Sequence, residues 1–217
     1  MPKTAIIAGS TGLVGSHCLR YLFASPDYSS VTALVRRSTG IADPKLREQI
    51  VVNFDKLDDL PAADDVFCGL GTTIRQAGSR AEFRKVDFEY VVSLAERSLS
   101  KGAKQFLTVS SVGANAKSGN FYLRTKGEVE EALQQLPFQV VHIFRPGLLV
   151  GKRLQSRPGE RIGAVIGEVF KFAMVGPLRK YRPIPANSVA KAMVKAAELG
   201  VTGVHVYHYD EIMRLAV

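Results

Sequence analysis

The stretch that most limits what this chain can fold into is its beginning. Ala5-Ile-Ile-Ala8 is a short apolar run, Gly9, Gly12 and Gly15 follow at three-residue spacing, and an apolar-periodic segment starts at Leu13. Four consecutive apolar residues bounded by glycine read as a buried strand. With the residues after them, the order is strand, glycine turn, helix. Glycine permits the tight turn and lets the backbone approach a bound group, while a helix N-terminus offers unpaired N–H groups and the positive end of its dipole. In outline this is a cradle for the pyrophosphate of a dinucleotide, contributed by Gly9, Ser10, Thr11, Gly12, Leu13, Val14 and Gly15.

After the turn, Leu13, Val14, His17, Cys18, Tyr21 and Leu22 recur at helical spacing, and Ser25-Pro26 ends the helix. Val31 to Val35 is a second buried strand. Strand, helix and strand in succession form a βαβ unit, which crosses over right-handed into a parallel sheet. The second strand ends in Arg36-Arg37. A site for NAD places an acidic residue here, on the ribose hydroxyls. Two guanidiniums pair instead with a 2′-phosphate, so the expected cofactor is NADP(H).

A third strand is expected over 49–53, with Asp55 just beyond it, where a loop would come near the adenine. A fourth, Val66 to Gly69, runs into Gly69-Leu70-Gly71-Thr72-Thr73. This second glycine-rich strand end places Leu70, Gly71 and Thr72 along the same crevice. Cys68 lies near that edge, and with no histidine brought beside it by the sequence it reads as a packed core cysteine. A long helix is expected over 80–100, on the stripe Phe83, Val86, Tyr90, Val91, Leu94 and Ala95, and a fifth strand over Phe106 to Val109.

Directly after the fifth strand stand Ser110-Ser111, and further on Tyr122 and Lys126, four residues apart on a segment that reads as helical through Leu136. Positions i and i+4 share a helix face, so Tyr122 and Lys126 point into the crevice that Ser111 overlooks. A phenol with an ordinary pKa of about 10 is a poor base at neutral pH, and a neighbouring ammonium would lower it. Tyr122 can then give a proton to a carbonyl oxygen as hydride arrives, or take one in the reverse direction. Lys126 supplies charge and holds the nicotinamide ribose, while Ser111 orients the substrate oxygen.

Taken together, Gly9-Ser-Thr-Gly12-Leu-Val-Gly15, Ser110-Ser111 and Tyr122-x-x-x-Lys126 resemble the atypical and extended short-chain dehydrogenase/reductases. More narrowly, Leu70-Gly71-Thr72-Thr73, Val86-Asp87, Lys126-Gly127-Glu128-Val129-Glu130, Phe144-Arg145-Pro146-Gly147 and Ser156-Arg157-Pro158-Gly159-Glu160 resemble the Tat-interacting-protein oxidoreductase-like group. The resemblance implies a Rossmann sheet with a small C-terminal substrate lobe, and NADPH on the glycine turn and Arg36-Arg37. It also implies Tyr122 and Lys126 at the nicotinamide end. Members of that group have been regarded both as reductases and as regulators or redox sensors. In one respect the chain departs from the superfamily. Where typical members carry an asparagine that helps a proton relay, it reads Val86-Asp87.

A sixth strand, Gln139 to Phe144, leads into Arg145-Pro146-Gly147-Leu148, whose backbone could face the nicotinamide carboxamide. Residues 1–150 are thus a dinucleotide-binding core, 151–186 a small basic substrate lobe with a helix over 162–173, and 187–217 a helix capped by Asn187 or Ser188 and a strand returning to the core. His205 and His208, three apart on that strand, face opposite sides, and no metal site is expected. Of the net charge of +9, residues 151–183 carry +6, with eight basic and two acidic side chains. Such a segment suits an anionic substrate or an acidic protein partner. It lacks the aromatic and arginine-rich pattern of nucleic-acid binding.

The apolar stretches are too short to span a membrane, and the two cysteines have neither disulfide nor metal spacing. The sequence is therefore read as a soluble protein of a reducing, cytoplasmic setting. The helices over 80–100 and 120–136 offer a homodimer surface. The expected activity is NADP(H)-dependent hydride transfer to or from a small carbonyl or alcohol. The alternative is an NADPH-binding regulator that uses its basic lobe on a partner. A nucleotide-sugar epimerase is disfavoured by the small lobe and by the arginines after the second strand.

Overall fold

The computed structural model describes residues 2–54, 57, 59–151 and 176–217. Seven parallel strands form one sheet: β1 (Lys3–Ala8), β2 (Tyr28–Val35), β3 (Leu46–Ile50), β4 (Asp65–Cys68), β5 (Gln105–Val109), β6 (Val140–Phe144) and β9 (Gly203–Tyr207). Their order is β3-β2-β1-β4-β5-β6-β9. A separate pair, β7 (Leu149–Val150) and β8 (Ile184–Pro185), forms its own short ladder. The chain winds outward from β1 in one direction as far as β3, then restarts at β4 on the other side of β1. The register is Ala8 to Leu34 on one side and Ala8 to Cys68 on the other. Beyond the carboxyl ends of β1 and β4 the connections diverge, which is where a doubly wound sheet places its ligand crevice. This is the doubly wound parallel sheet the βαβ reading implied.

The strands are buried on both faces, which is why β1 reads as an unbroken apolar run rather than an alternating one. Ala5 and Ile7 pack with Leu19 and Leu22 of α1 (Gly15–Ala24) and with Val189 and Met193 of α6 (Ala186–Ala197). Ile6 and Ala8 face the opposite layer, with Leu94 of α4 (Tyr90–Ser100) and Val129 and Leu133 of α5 (Phe121–Gln134). Each fully buried aliphatic side chain contributes about 1.5–3 kcal/mol. Helix α1 stops where proline requires it, Ser25 turning extended at ψ 129° before Pro26.

Several expected boundaries move. The third strand is Leu46–Ile50 rather than 49–53, and it is an edge strand paired with β2 alone. Val51 still donates to Val35 O at 2.8 Å, so apolar residues continue the ladder just past the strand. The helix expected over 80–100 is three pieces in series. They are α3 (Arg80–Arg84), capped by Ser79 accepting from the Glu82 N–H, a π-turn over Lys85–Glu89, and α4. A π-turn widens the helix and rotates the residues beyond it. Here it carries Asp87, a charged residue, to the inside. A single turn, α2 (Ile74–Ala77), precedes them under a Thr73 cap and was not foreseen.

Helix α6 begins at Ala186, with Pro185 at its N-cap position and no side-chain cap, so neither Asn187 nor Ser188 serves as expected. A last helix, α7 (Tyr209–Leu215), follows β9 and was missed. It buries Ile212 in the layer that holds α1 and α6. The C-terminal segment thus returns to the core, β9 pairing with β6 in parallel. The helix expected over 162–173, and most of the basic segment, lie outside the described residues.

Candidate functional site

The glycine turn is built by close backbone approach. Gly9 has φ +79°, and a Cβ there would stand 2.5 Å from the carbonyl atoms of Gly69, at the end of β4. A Cβ on Gly15 would come within 2.1 Å of Gly9 O. Any side chain at either place would push α1 and β4 off the turn. Gly12 N–H donates to Gly9 O at 2.9 Å, and Ser16 N–H to Gly12 O at 3.0 Å. Among the described residues, the N–H groups of Ser10, Thr11, Leu13, Val14 and Gly15 meet no acceptor. Ser10 Oγ is buried without a hydrogen-bond partner among them. Helix α1 has no side-chain cap and no acidic residue in its first turn, so its positive end is uncompensated. Unmet donors, an orphaned hydroxyl and a surface only glycine can line fit the pyrophosphate of a dinucleotide.

Arg36 and Arg37 directly follow β2, next to β1 in the sheet, and both are exposed. Neither forms an ion pair with a described residue. Asp55 lies outside the described residues. On the other side of the turn, Gly69 N–H donates to Ala8 O at 2.8 Å, and Leu70 packs under the strand end. Thr72 N–H donates to Asp87 Oδ2 at 2.8 Å.

Ser111 leaves the sheet one residue after Ser110, whose N–H continues the ladder to Phe144 O at 2.7 Å. Val112 N–H then donates to Pro146 O at 2.9 Å, which ties the two strand ends together. Ser111 Oγ makes only a long contact to Val112 O, 3.3 Å. Helix α5 starts under an Asn120 cap, Oδ1 accepting from Leu123 N–H. The loop after Ser111 is pressed onto α5 at Gly127, where a Cβ would lie 2.1 Å from Ala116 N. Asn115 N–H also donates to Leu123 O at 3.1 Å. Tyr122 packs its half-buried ring on Phe83, centroids 5.7 Å apart. No hydrogen bond joins Ser111, Tyr122 and Lys126 to one another.

One turn past Tyr122, Lys126 is buried and places Nζ 2.7 Å from Asp87 Oδ1. The same Nζ lies 3.8 Å from where a Cβ on Gly71 would be, so the ammonium sits against the second glycine strand end. Burial works against its charge, but the Asp87 carboxylate, and Tyr122 after it, hold Lys126 above the ordinary lysine pKa. Burial also pushes the Cys68 thiol up to about 11, which removes it as a nucleophile at neutral pH.

The sequence reading did not find what Arg145 does. Its Nε lies 3.0 and 3.1 Å from the two oxygens of Glu130, and Nη2 closes a third contact. Ser110 Oγ donates to the same carboxylate. Glu130 is 2% exposed, so this is a buried clamp joining β5, β6 and α5 beneath Ser111. The guanidinium of Arg145 is thereby committed to the protein. Pro146 is buried with its carbonyl taken by Val112 N–H, and Leu148 O accepts from Ile184 N–H at 2.8 Å. Of the expected backbone contacts at Pro146 and Leu148, the Leu148 N–H is the group left for a ligand among the described residues. The signal was present, since Lys126 and Glu130 are four apart on the face that carries Tyr122. Two surface cavities, about 400 and 520 Å³, include neither the glycine turn nor Ser111, Tyr122 or Lys126 in their walls. Among the described residues no cluster of three metal-binding side chains occurs.

A family model described as HIM1 matches residues 29–168. The protein FMP52, mitochondrial, of Candida albicans is 33% identical over 226 residues, covering 98% of each chain. The protein HTATIP2 of Rattus norvegicus is 39% identical over 164 residues, covering 73% of this chain and 67% of its own. Among solved structures, a UDP-N-acetylglucosamine 4-epimerase from Methanobrevibacter ruminantium superposes with TM-score 0.70. It is 16% identical and is covered to 76%, against 95% of this chain. The human epimerase family protein SDR39U1 with NADPH gives TM-score 0.64 at 20% identity, covering 94% of this chain and 74% of that one. At such identities the two structures speak for the fold alone.

The expectation of a cytoplasmic setting is overturned by these relatives, because several of them carry names that say mitochondrial. The physical reason is plain. Cys18 and Cys68 are both free and buried, and a buried free thiol distinguishes oxidising from reducing surroundings, not one reducing compartment from another. On the family match and on the extent of likeness to its relatives, this chain belongs to the HIM1 family.

Proposed function

We propose that this protein is an NADP(H)-dependent oxidoreductase that moves a hydride to or from a small carbonyl or alcohol. The observation that carries the reading is the junction of two strand ends at one crevice. The glycine turn of β1 packs on Gly69, and Lys126 of the Tyr122 helix reaches the neighbouring Gly71. Structural neighbours crystallised with NAD or NADPH support a nicotinamide cofactor in general terms. The preference for the phosphorylated form rests on Arg36 and Arg37, which are exposed beside the turn and form no ion pair with a described residue.

The bound cofactor would supply or accept the hydride. Ser10 to Gly15 hold its diphosphate on backbone N–H groups. Ser111 Oγ, with its own contact weak, is available to donate to the substrate oxygen. Tyr122 Oη gives that oxygen a proton in reduction and removes one in oxidation, while Lys126 fixes charge one turn behind it. Titration with NADPH and with NADH, for the unaltered protein and for Arg36→Ala/Arg37→Ala, tests the cofactor. NADPH affinity is expected to drop at least tenfold in the variant while NADH affinity holds, and equal binding of both by the unaltered protein refutes the assignment. Tyr122→Phe should abolish turnover of a carbonyl panel while cofactor binding persists.

A regulatory reading, in which NADPH is bound and never oxidised, draws on one observation: the Lys126 ammonium is already paired with Asp87. Complete absence of turnover by the unaltered protein across the panel, with NADPH binding intact, would favour it.

A further inference from the structure

Asp87 has no part in the chemistry above, yet it is one of the most deeply buried carboxylates of the chain, at 1% exposure. Its place is the middle of the π-turn, where the widened backbone brings it inward between β4 and α5. The two oxygens have separate partners. Oδ2 accepts from Thr72 N–H at 2.8 Å, and Oδ1 faces Lys126 Nζ at 2.7 Å. The second contact lies off the hydrogen-bonding direction, leaving Oδ1 without a formal hydrogen bond, so the attraction is chiefly Coulombic. Lys126 is itself buried, at 6% exposure.

Three titratable groups surround Nζ: Asp87 from the π-turn, Tyr122 from α5, and Cys68 from β4. Of the three, only Asp87 is a carboxylate, and it is the one in ion-pair contact, 2.7 Å from Nζ. An amide at this position would keep the Thr72 hydrogen bond but leave a bare cation in a dry place. A buried lysine without a counter-ion loses its proton readily, by several pH units in the extreme.

We propose that Asp87 is a positioning residue that keeps Lys126 an ammonium ion inside the protein and aims it at the Gly71–Thr72 strand end. This rests on the reading of Lys126 as a cofactor-binding group, but the charge state itself can be measured without cofactor or substrate. Asp87 ties the lysine to the β4 strand end through Thr72, so the glycine edge and the Tyr122 helix are set by one carboxylate. The π-turn is the device that makes room for it. In an unwidened helix the residue at this place would be carried round to a different face.

The test is lysine side-chain NMR on the full chain, with the Lys126 signal assigned by its loss in Lys126→Arg. In the unaltered protein Lys126 is expected to stay an ammonium ion to a pH above the ordinary lysine value. In Asp87→Asn its midpoint should fall by about two pH units. A Lys126 midpoint at or below the ordinary value in the unaltered protein overturns the proposal by itself, even if the variant does not fold. An unchanged midpoint in a folded Asp87→Asn overturns it too. A second readout uses NADPH. The ratio of its dissociation constants at pH 9 and pH 7 should be near one for the unaltered protein and rise to about fourfold for Asp87→Asn, the limit set by a midpoint about two units lower. It should return to near one in Asp87→Asn/Lys126→Arg, because a guanidinium keeps its charge throughout. A protein that binds no NADPH at all refutes the proposed function, whereas the NMR midpoints still decide the role of Asp87.

Discussion

Gly127→Ala separates local from tertiary reasoning, because the two give opposite signs. Gly127 lies inside α5, where replacing glycine by alanine gains about 1 kcal/mol of helix propensity. The neighbouring loop decides otherwise. A Cβ at residue 127 would stand 2.1 Å from Ala116 N, 2.2 Å from Asn115 C and 2.6 Å from Asn115 Cα. All three are backbone atoms, so no rotamer change relieves the contact, and the loop must retreat by about an ångström. That retreat strains the Asn115 N–H bond to Leu123 O. Overpacking against backbone that no rotamer change relieves lies toward the upper end of about 1–3 kcal/mol, which exceeds the propensity gain of about 1 kcal/mol and leaves a net loss. For a chain of this length about 1 kcal/mol corresponds to about 2–4 °C in Tm. Urea unfolding followed by circular dichroism reads the change directly. The variant should be less stable by about 1–2 kcal/mol. A variant as stable as the unaltered protein, or more so, would show that the loop does not press on α5.

Two further perturbations use the same geometry. Gly9→Ala meets both a φ of +79° and a carbonyl 2.5 Å away, so it should abolish dinucleotide binding in isothermal titration while the far-UV spectrum stays native. Retained affinity would remove the cradle as the binding element. His142 is buried, with Nδ1 2.9 Å from Tyr207 Oη and Nε2 3.3 Å from Gln105 Oε1. Burial first, then the neighbouring His205 and Lys3, push its pKa down to about 4. The unfolded chain takes the proton near pH 6.5 and the folded chain does not, so this contribution is intact above pH 6.5. It is lost as pH falls from 6.5 to about 4, to a limit of about 3 kcal/mol. Urea midpoints measured across that window should lose most of this slope in His142→Gln, and an equal slope in both proteins would refute the buried neutral imidazole.

The features that could be read directly from the residues were those set by short-range rules. The apolar run of β1, the three glycines, the proline stop of α1 and the i, i+4 pair of Tyr122 and Lys126 each depend on neighbours in the chain, and each stands in the structure. The edge strand β3 was misplaced because one covered side leaves it half-exposed, with a weak apolar pattern. The break at Lys85–Glu89 was invisible because a π-turn leaves no signature in composition. The apolar stripe from Phe83 to Ala95 looks continuous whether or not one residue is wound in excess. The Glu130 clamp was overlooked because acidic and basic residues on a helix are ordinarily solvated, and only burial makes their pairing decisive.

By itself the sequence determined that a parallel, doubly wound sheet would present a glycine turn at its first strand end, because strand burial, glycine geometry and helix periodicity are local properties. Only the tertiary structure decided which groups that turn would face. It set Gly9 against Gly69, Gly127 against the Ala116 loop, Arg145 against Glu130, and Asp87 against Lys126. These are contacts between residues up to 60 positions apart, as in Gly9 and Gly69, and no local preference encodes a distance of that kind. It is fixed by how two layers of helices close on one sheet.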